Sequence, residues 1–261
     1  MKSFRSAPSL SFMLGGTQKG GTTALAHLMS MHPDIRLPRQ KEAHVFDADS
    51  FDDDATPQAI DETFASHFDD GFCSGRRTLH GDATPISMFH PVFIQRIARY
   101  NPAMKWILIL RDPSLRAISH YFMERERGNE HLALPLALIV ERWRLKGHEH
   151  DFSPDSPLRR HSYIARGRYV RQLDTLFRYF PVDQVLLLRN QDLRQEPQRT
   201  LDAVFRFLDA APFAPESPFV DIFSGNWQQD RTARFVRPWL RRIFAGEVRA
   251  LDRRFGIRLC D

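Results

Sequence analysis

Gly15-Gly16-Thr17-Gln18-Lys19-Gly20-Gly21-Thr22-Thr23-Ala24-Leu25 (residues 15–25, GGTQKGGTTAL) has the glycines of a phosphate-binding loop, with its lysine in another place. In a nucleoside-triphosphate loop, a glycine and four residues lead to Gly-Lys followed by Ser or Thr. Here Lys19 comes before the glycine pair, and Gly21 is followed directly by Thr22 and Thr23. The apolar run LSFML (10–14) precedes the loop and reads as a buried strand; Leu25, Leu28 and Met29 then recur at helical spacing until His32-Pro33. Thr22 and Thr23 are the expected helix cap. Glycines between a strand and a helix bring backbone N–H groups and the positive end of a helix dipole to an anion, with Lys19 and the two threonines adding charge and donors.

Working outward, KWILIL (105–110) is uninterruptedly apolar, as in a parallel strand covered on both faces, and it runs into Arg111-Asp112-Pro113. Pro113 suits the first turn of a helix through SLRAISHYFM. IRLP (35–38) and QVLLL (184–188) read as further strands. Helices are expected over 57–68, around Phe93, Ile97 and Tyr100, over 161–179, over TLDAVFRFL, and from Pro238 onward. The proline-rich stretch HEHDFSPDSPLRR (148–160) reads as a loop or mobile insertion, and 129–160 as an insertion or lid within one domain spanning 1–261. Alternating strands and helices imply an α/β fold on a parallel sheet, with ligands beyond the strand C-termini, where both 15–23 and 111–119 fall.

Composition sets the bounds. With 261 residues, 42% hydrophobic and 26% charged, the chain is long enough for one sizeable core and is not of the disordered class. Lys and Arg (37) exceed Asp and Glu (32), a formal charge of +5 that favours anionic partners without specifying them. Only Cys73 and Cys260 are present, which does not describe a secreted disulfide framework, so a reducing, cytoplasmic setting is expected. The opening MKSFRSAPSLSFML reads as the approach to the first strand, not as a leader, and no apolar stretch reaches the ~20 residues that span a bilayer.

Lys19-Gly20-Gly21-Thr22-Thr23 resembles the 5′-phosphosulfate loop of sulfotransferases that use 3′-phosphoadenosine 5′-phosphosulfate (PAPS). The family's second signature, an arginine at a strand end and a serine eight residues later, is matched by Arg111 and Ser119 in RDPSLRAISHY. The resemblance is to the branch of Golgi heparan sulfate sulfotransferases and their bacterial relatives, and runs from residue 12 to about 209. It implies a P-loop-like three-layer α/β fold, a central parallel sheet flanked by helices. In that branch a Lys-Glu-x-His-x-Phe segment carries the catalytic base; Lys41-Glu42-Ala43-His44-Val45-Phe46 matches it. Gly167-Arg168-Tyr169, Phe180-Pro181, Asp192-Leu193 and Glu196-Pro197 continue the likeness. Asp82-Ala83-Thr84-Pro85 departs from it, with alanine where the branch has lysine. The late glycine- and lysine-rich cofactor loop and the paired cysteines are also missing; SGNWQQDRTAR (224–234) is the expected replacement, with Arg231 or Arg234 near a phosphate.

The resemblance implies sulfuryl transfer from PAPS to a hydroxyl or amine of a glycan, lipid or small molecule. Glu42 would be the base, with His44 orienting it or the acceptor. Lys19 would stabilise developing charge; Gly20, Gly21, Thr22 and Thr23 would bind the 5′-phosphate, and Arg111 and Ser119 the 3′-phosphate. No metal is required by this arrangement. Two rivals stand beside it: a kinase using ATP and magnesium with Asp112 as the metal carboxylate, and a basic nucleic-acid-binding protein using a surface such as RRHSYIARGRY (159–169).

Overall fold

The computed structural model describes residues 8–69, 71–72, 78–215 and 229–259. Cys73 and Cys260 lie outside them, as do residues 224–228 of the 224–234 replacement loop. Five parallel strands form one sheet in the order β2-β3-β1-β4-β5: β1 (Leu10–Gly16), β2 (Ile35–Arg36), β3 (Leu79–Asp82), β4 (Lys105–Leu110) and β5 (Val185–Arg189). β3, a short polar stretch without alternation, is absent from the sequence reading. β1 sits centrally, paired to β3 through Met13 and Asp82 and to β4 through Leu14 and Ile107.

The apolar run of β4 is explained by two cores. Trp106, Leu108 and Leu110 enter one with α2 (Pro57–Ala65), α3 (Pro91–Tyr100) and α7 (Tyr169–Leu176). Ile107 and Ile109 enter the other with α1 (Thr22–Ser30), α8 (Asn190–Gln195) and α9 (Pro197–Phe207). A strand with helices on both faces has no solvent side and needs no polar alternation. This is the expected three-layer arrangement. A third cluster joins α4 (Pro113–Glu126), α5 (Leu134–Leu145) and α10 (Arg231–Phe255).

Several local expectations are corrected. The helix read over 161–179 begins only at Tyr169. Before it, the N–H groups of Ile164 and Ala165 donate to the buried Glu141 carboxylate (2.6 and 2.8 Å), which diverts them from a helical ladder. The stretch 129–160 contains two helices, α5 and the short α6 (Pro157–Arg160). The last helix starts at Arg231, not Pro238, because Asp230 caps it by accepting from the Ala233 N–H (2.8 Å). The cap of α1 is Gly21, at φ 111°, with no side-chain bond from either threonine.

Candidate active site

The loop after β1 is fastened to its neighbours before any ligand is considered. The Thr17 N–H donates to the Ile109 carbonyl of β4 (3.0 Å), and the Asn190 side chain, at the end of β5, donates to the Gly20 carbonyl (2.7 Å). A Cβ on Gly20 would lie 2.5 Å from the Ile109 carbonyl oxygen and 2.5 Å from Thr17 Oγ1. The glycine is therefore required by close backbone approach. Because no side chain caps α1, its first N–H groups are left to a ligand at the positive end of the helix.

Arg111, at the end of β4, donates to the Lys19 carbonyl (3.4 Å), joining two motifs that lie 92 residues apart. Ser119 lies eight residues on, in the second turn of α4, and lines the same cleft as Arg111. Lys19, Thr22, Thr23, Arg111 and Ser119 line one cleft of about 1360 Å³ together with Glu42 and His44. Its cationic lining (Lys19, Lys41, Arg111, Arg127, Arg159, Arg160, Arg166 and Arg194) outnumbers Glu42, Asp49, Glu124 and Glu126 by 8 to 4. Burial, and then the charges of Arg111 and Arg127, push the Lys19 ammonium below its ordinary value. An anion placed here would relieve that crowding.

Glu42 sits in a loop held in an uncommon shape. Lys41 and His44 have φ of 63° and 54°, in the left-handed region. The end of β3 and the residues after it hold them there: Asp82 accepts from the Ala43 N–H (3.0 Å), the Thr84 hydroxyl accepts from the His44 N–H (3.4 Å), and the Ala83 N–H donates to the Lys41 carbonyl (3.3 Å). Asp82 is fully buried, and burial raises its carboxyl to about 6. The Asp-Ala-Thr-Pro stretch thus acts as the scaffold of the Glu42 loop.

The Glu42 carboxylate meets Lys41 Nζ at 2.6 Å and His44 Nε2 at 3.4 Å. Burial pushes it upward, but His44 and Lys41 outweigh burial and leave it below the ordinary glutamate value, ionised at neutral pH. His44 donates from Nδ1 to Asp47 Oδ2 (2.9 Å), and that bond, followed by the Glu42 contact, raises its imidazole to about 10. Asp47, 1% exposed, is held from the other side by Arg159 Nη1 (2.6 Å). Arg166 donates to the Arg159 carbonyl (3.1 Å) and to Gln18 Oε1 (2.5 Å), beside Lys19. A continuous chain therefore runs from the glycine loop through Arg166, Arg159, Asp47 and His44 to Glu42.

Gln18, inside the glycine loop, has no role that the sequence assigns, and Asp47, Arg127, Asn190 and Arg194 stand in no motif that points to the cleft. Arg159 and Arg166 did stand out within RRHSYIARGRY, but their direction was open. They face the cleft, while Tyr163 and Tyr169 are fully buried, so the segment does not present arginines and aromatics as a nucleic-acid surface. Arg231 is not brought to the site: it is exposed on the first turn of α10 and does not line the cleft. Asp112, the metal carboxylate of the kinase reading, instead caps α4 by accepting from the Leu115 N–H (2.9 Å) and lies outside the cleft lining.

A parallel sheet delivering an anion loop and a second cationic motif into one cleft is the architecture of a nucleotide-dependent group transferase. Residues 11–218 match the sulfotransferase domain family, and the chain belongs to that family. It is 29% identical to the mouse bifunctional heparan sulfate N-deacetylase/N-sulfotransferase 4 over 84% of its own length. The chain spans 24 to 26% of the length of such bifunctional relatives. Its fold is shared with the crystal structure of a sulfotransferase from Alicyclobacillus acidocaldarius (TM-score 0.74, 24% identity, covering 96% of this chain and 97% of that one). It is also shared with mouse sulfotransferase SULT7A1 complexed with PAP (TM-score 0.51, 14% identity, 96% and 87% covered). Sulfuryl transfer is thus the chemistry of its family, and the kinase reading is not favoured. Among the described residues, no helix is long and apolar enough to cross a membrane.

Proposed function

We propose that this protein transfers a sulfuryl group from PAPS to the hydroxyl or amine of an acceptor by in-line displacement. The observation that carries this reading is the convergence of the glycine loop, the Arg111 and Ser119 pair, and Glu42 on one cleft. The chemistry of the donor set fits the nucleotide: two separate cationic or hydroxyl-bearing places for its two phosphate positions, with the start of α1 left without a side-chain cap beside one of them. Lys19, Thr22, Thr23 and the uncapped amides of α1 would hold the 5′ end, while Arg111, with a guanidinium fork, and Ser119 would hold the 3′-phosphate. When bound, PAPS supplies an activated sulfuryl group and is left as 3′-phosphoadenosine 5′-phosphate (PAP).

Glu42, ionised at neutral pH, takes the acceptor proton; a positioned base contributes about 10² to 10⁴ in rate. The His44 imidazolium, anchored on Asp47, keeps Glu42 in place and charged. Lys19 counters charge building on the leaving side, and by analogy with phosphoryl transfer such positioning and charge stabilisation supply most of the rate. The two-cysteine composition supports a reducing, cytoplasmic setting.

Calorimetry with PAP against ATP plus magnesium tests the donor assignment. PAP binding, with ATP at least about tenfold weaker, is expected, since only PAP offers the 3′-phosphate; preference for ATP, or indifference, would overturn it. Glu42→Gln should lower kcat by about 10² to 10⁴ with PAP affinity retained, and unchanged turnover would reject Glu42 as base.

A further inference from the structure

Helices α5 and α10 carry apolar side chains on two faces. Inward, Leu134 and Leu138 of α5 join Val236 and Leu240 of α10 in the cluster shared with α4. Outward, the same turns show Leu136, Ile139 and Trp143 on α5, and Phe235 and Trp239 on α10. These are five of the seven large hydrophobic side chains exposed among the described residues, so the apolar surface is gathered on one packed helix pair. Trp143 is 67% and Phe235 82% exposed. Residues 136, 139 and 143 fall in line on one side of α5, opposite its buried residues, and 235 and 239 are one turn apart on α10. A helix that is apolar on both sides calls for cover on both. For α5, α4 and α10 cover the inner side alone.

The charge around this face is of one sign. Arg142 and Lys146 at the end of α5, and Arg231, Arg234 and Arg242 on α10, are exposed, and no carboxylate of the described residues pairs with them. From Arg231 to Gly246 the chain has five arginines and no acidic residue. The carboxylate of α5, Glu141, is buried on the N–H groups of Ile164 and Ala165. Arg231, Phe235, Trp239 and Arg242, at steps of four, four and three, stand on one side of α10, so cations flank the aromatics. A second copy of this chain is a poor occupant, because a two-fold contact would set arginine against arginine with no carboxylate between. An anionic bilayer supplies what the face lacks. Its headgroups neutralise the arginines, while tryptophan and phenylalanine suit the boundary between headgroup and acyl chain.

We infer that α5 and α10 dock this protein on an anionic phospholipid surface, with Trp143, Phe235 and Trp239 entering the boundary layer and the basic side chains around them holding the headgroups. None of these side chains lines the cleft. Helix α4 stands between: its Ile118 and Tyr121 join α5 and α10, and its Ser119 and Met123 line the cleft. Membrane docking is thus separate from the chemistry in the cleft.

The test uses the whole chain and three kinds of vesicle: phosphatidylcholine, phosphatidylcholine with about 30% phosphatidylglycerol, and the same mixture with brominated acyl chains. In cosedimentation the protein should bind the anionic vesicles at least about tenfold more tightly than the neutral ones, and the brominated chains should quench its tryptophan fluorescence. Trp143→Ser with Phe235→Ser should weaken binding by about tenfold or more, and Arg142→Ala with Arg242→Ala by about twentyfold, each with PAP affinity and unfolding midpoint unchanged. An apolar double variant that binds as wild type does, or an absence of quenching, would show that net positive charge alone holds the protein and would overturn the inference. So would equal binding to neutral vesicles, or no binding at about 1 mM lipid. A dimer in light scattering that Trp143→Ser with Phe235→Ser dissolves would also overturn it, by giving the face to a second copy.

Discussion

Asp47→Asn tests the link between the 157–166 segment and the Glu42 loop. Asp47 is 1% exposed, and its Oδ2 accepts from both His44 Nδ1 (2.9 Å) and Arg159 Nη1 (2.6 Å). Asparagine does not strand the guanidinium, because Arg159 keeps the Phe152 carbonyl (2.8 Å) and the main-chain carbonyl of residue 47. The loss is therefore two charge-assisted bonds, each contributing about 1.5–3 kcal/mol when shielded. The Arg159 side chain is only 16% exposed and keeps that range. His44 is 49% exposed, so water replaces much of its bond and its share falls to ~1 kcal/mol or less. Relief of the burial cost on the carboxylate offsets part, leaving a net destabilisation of about 2–3 kcal/mol near pH 6.

The pH dependence of that deficit is the sharper readout. Burial pushes the Asp47 carboxyl up, but His44 and Arg159 outweigh it and hold it below its ordinary value of 3.8. Its contribution is present above that value and is lost as pH falls through the lower folded one. His44 runs the other way: raised to about 10 from 6.5, it stabilises fully below 6.5 and fades as pH climbs to about 10. Urea unfolding of wild type and variant at several pH values should show the widest gap between about 4 and 6.5, narrowing by pH 10 to the Arg159 share. A gap below ~1 kcal/mol throughout, or one that is the same at every pH, would refute the reasoning.

Gly20→Ala should abolish PAP binding and lower the unfolding midpoint, since the new Cβ would lie 2.5 Å from the Ile109 carbonyl oxygen; retained affinity in calorimetry would show that the loop yields. Ser119→Ala should weaken PAP by about five- to tenfold, one hydrogen bond, while adenosine 5′-phosphate binds as before. An equal loss for both nucleotides would move Ser119 away from the 3′-phosphate. Burial, then Arg111 and Arg127, hold the Lys19 ammonium below its ordinary value, so PAP binding at pH 9 should draw protons from solution. Titrations in two buffers of different ionisation enthalpy measure that uptake, and none at all would contradict the assignment of Lys19.

What a reader of the bare chain sees is what neighbouring residues impose on one another. The unbroken apolar run of KWILIL required cover on two faces, and the glycines at 15, 16, 20 and 21 required a close-packed turn between strand and helix. Those local demands carried the α/β sheet and placed the glycine loop and Arg111 at the strand ends that meet in one cleft. Where local pattern and distant contact compete, the pattern fails: the helical spacing after residue 161 gives way to Glu141. Asp47 and Arg159, 112 residues apart, leave no periodic trace, because an ion pair needs only two side chains that meet after the chain has closed on itself. The anion loop was thus written in short-range backbone geometry. The setting of Glu42 came from the way 41–47, 82–84 and 159–166 pack on one another, which no pattern within any one of them states.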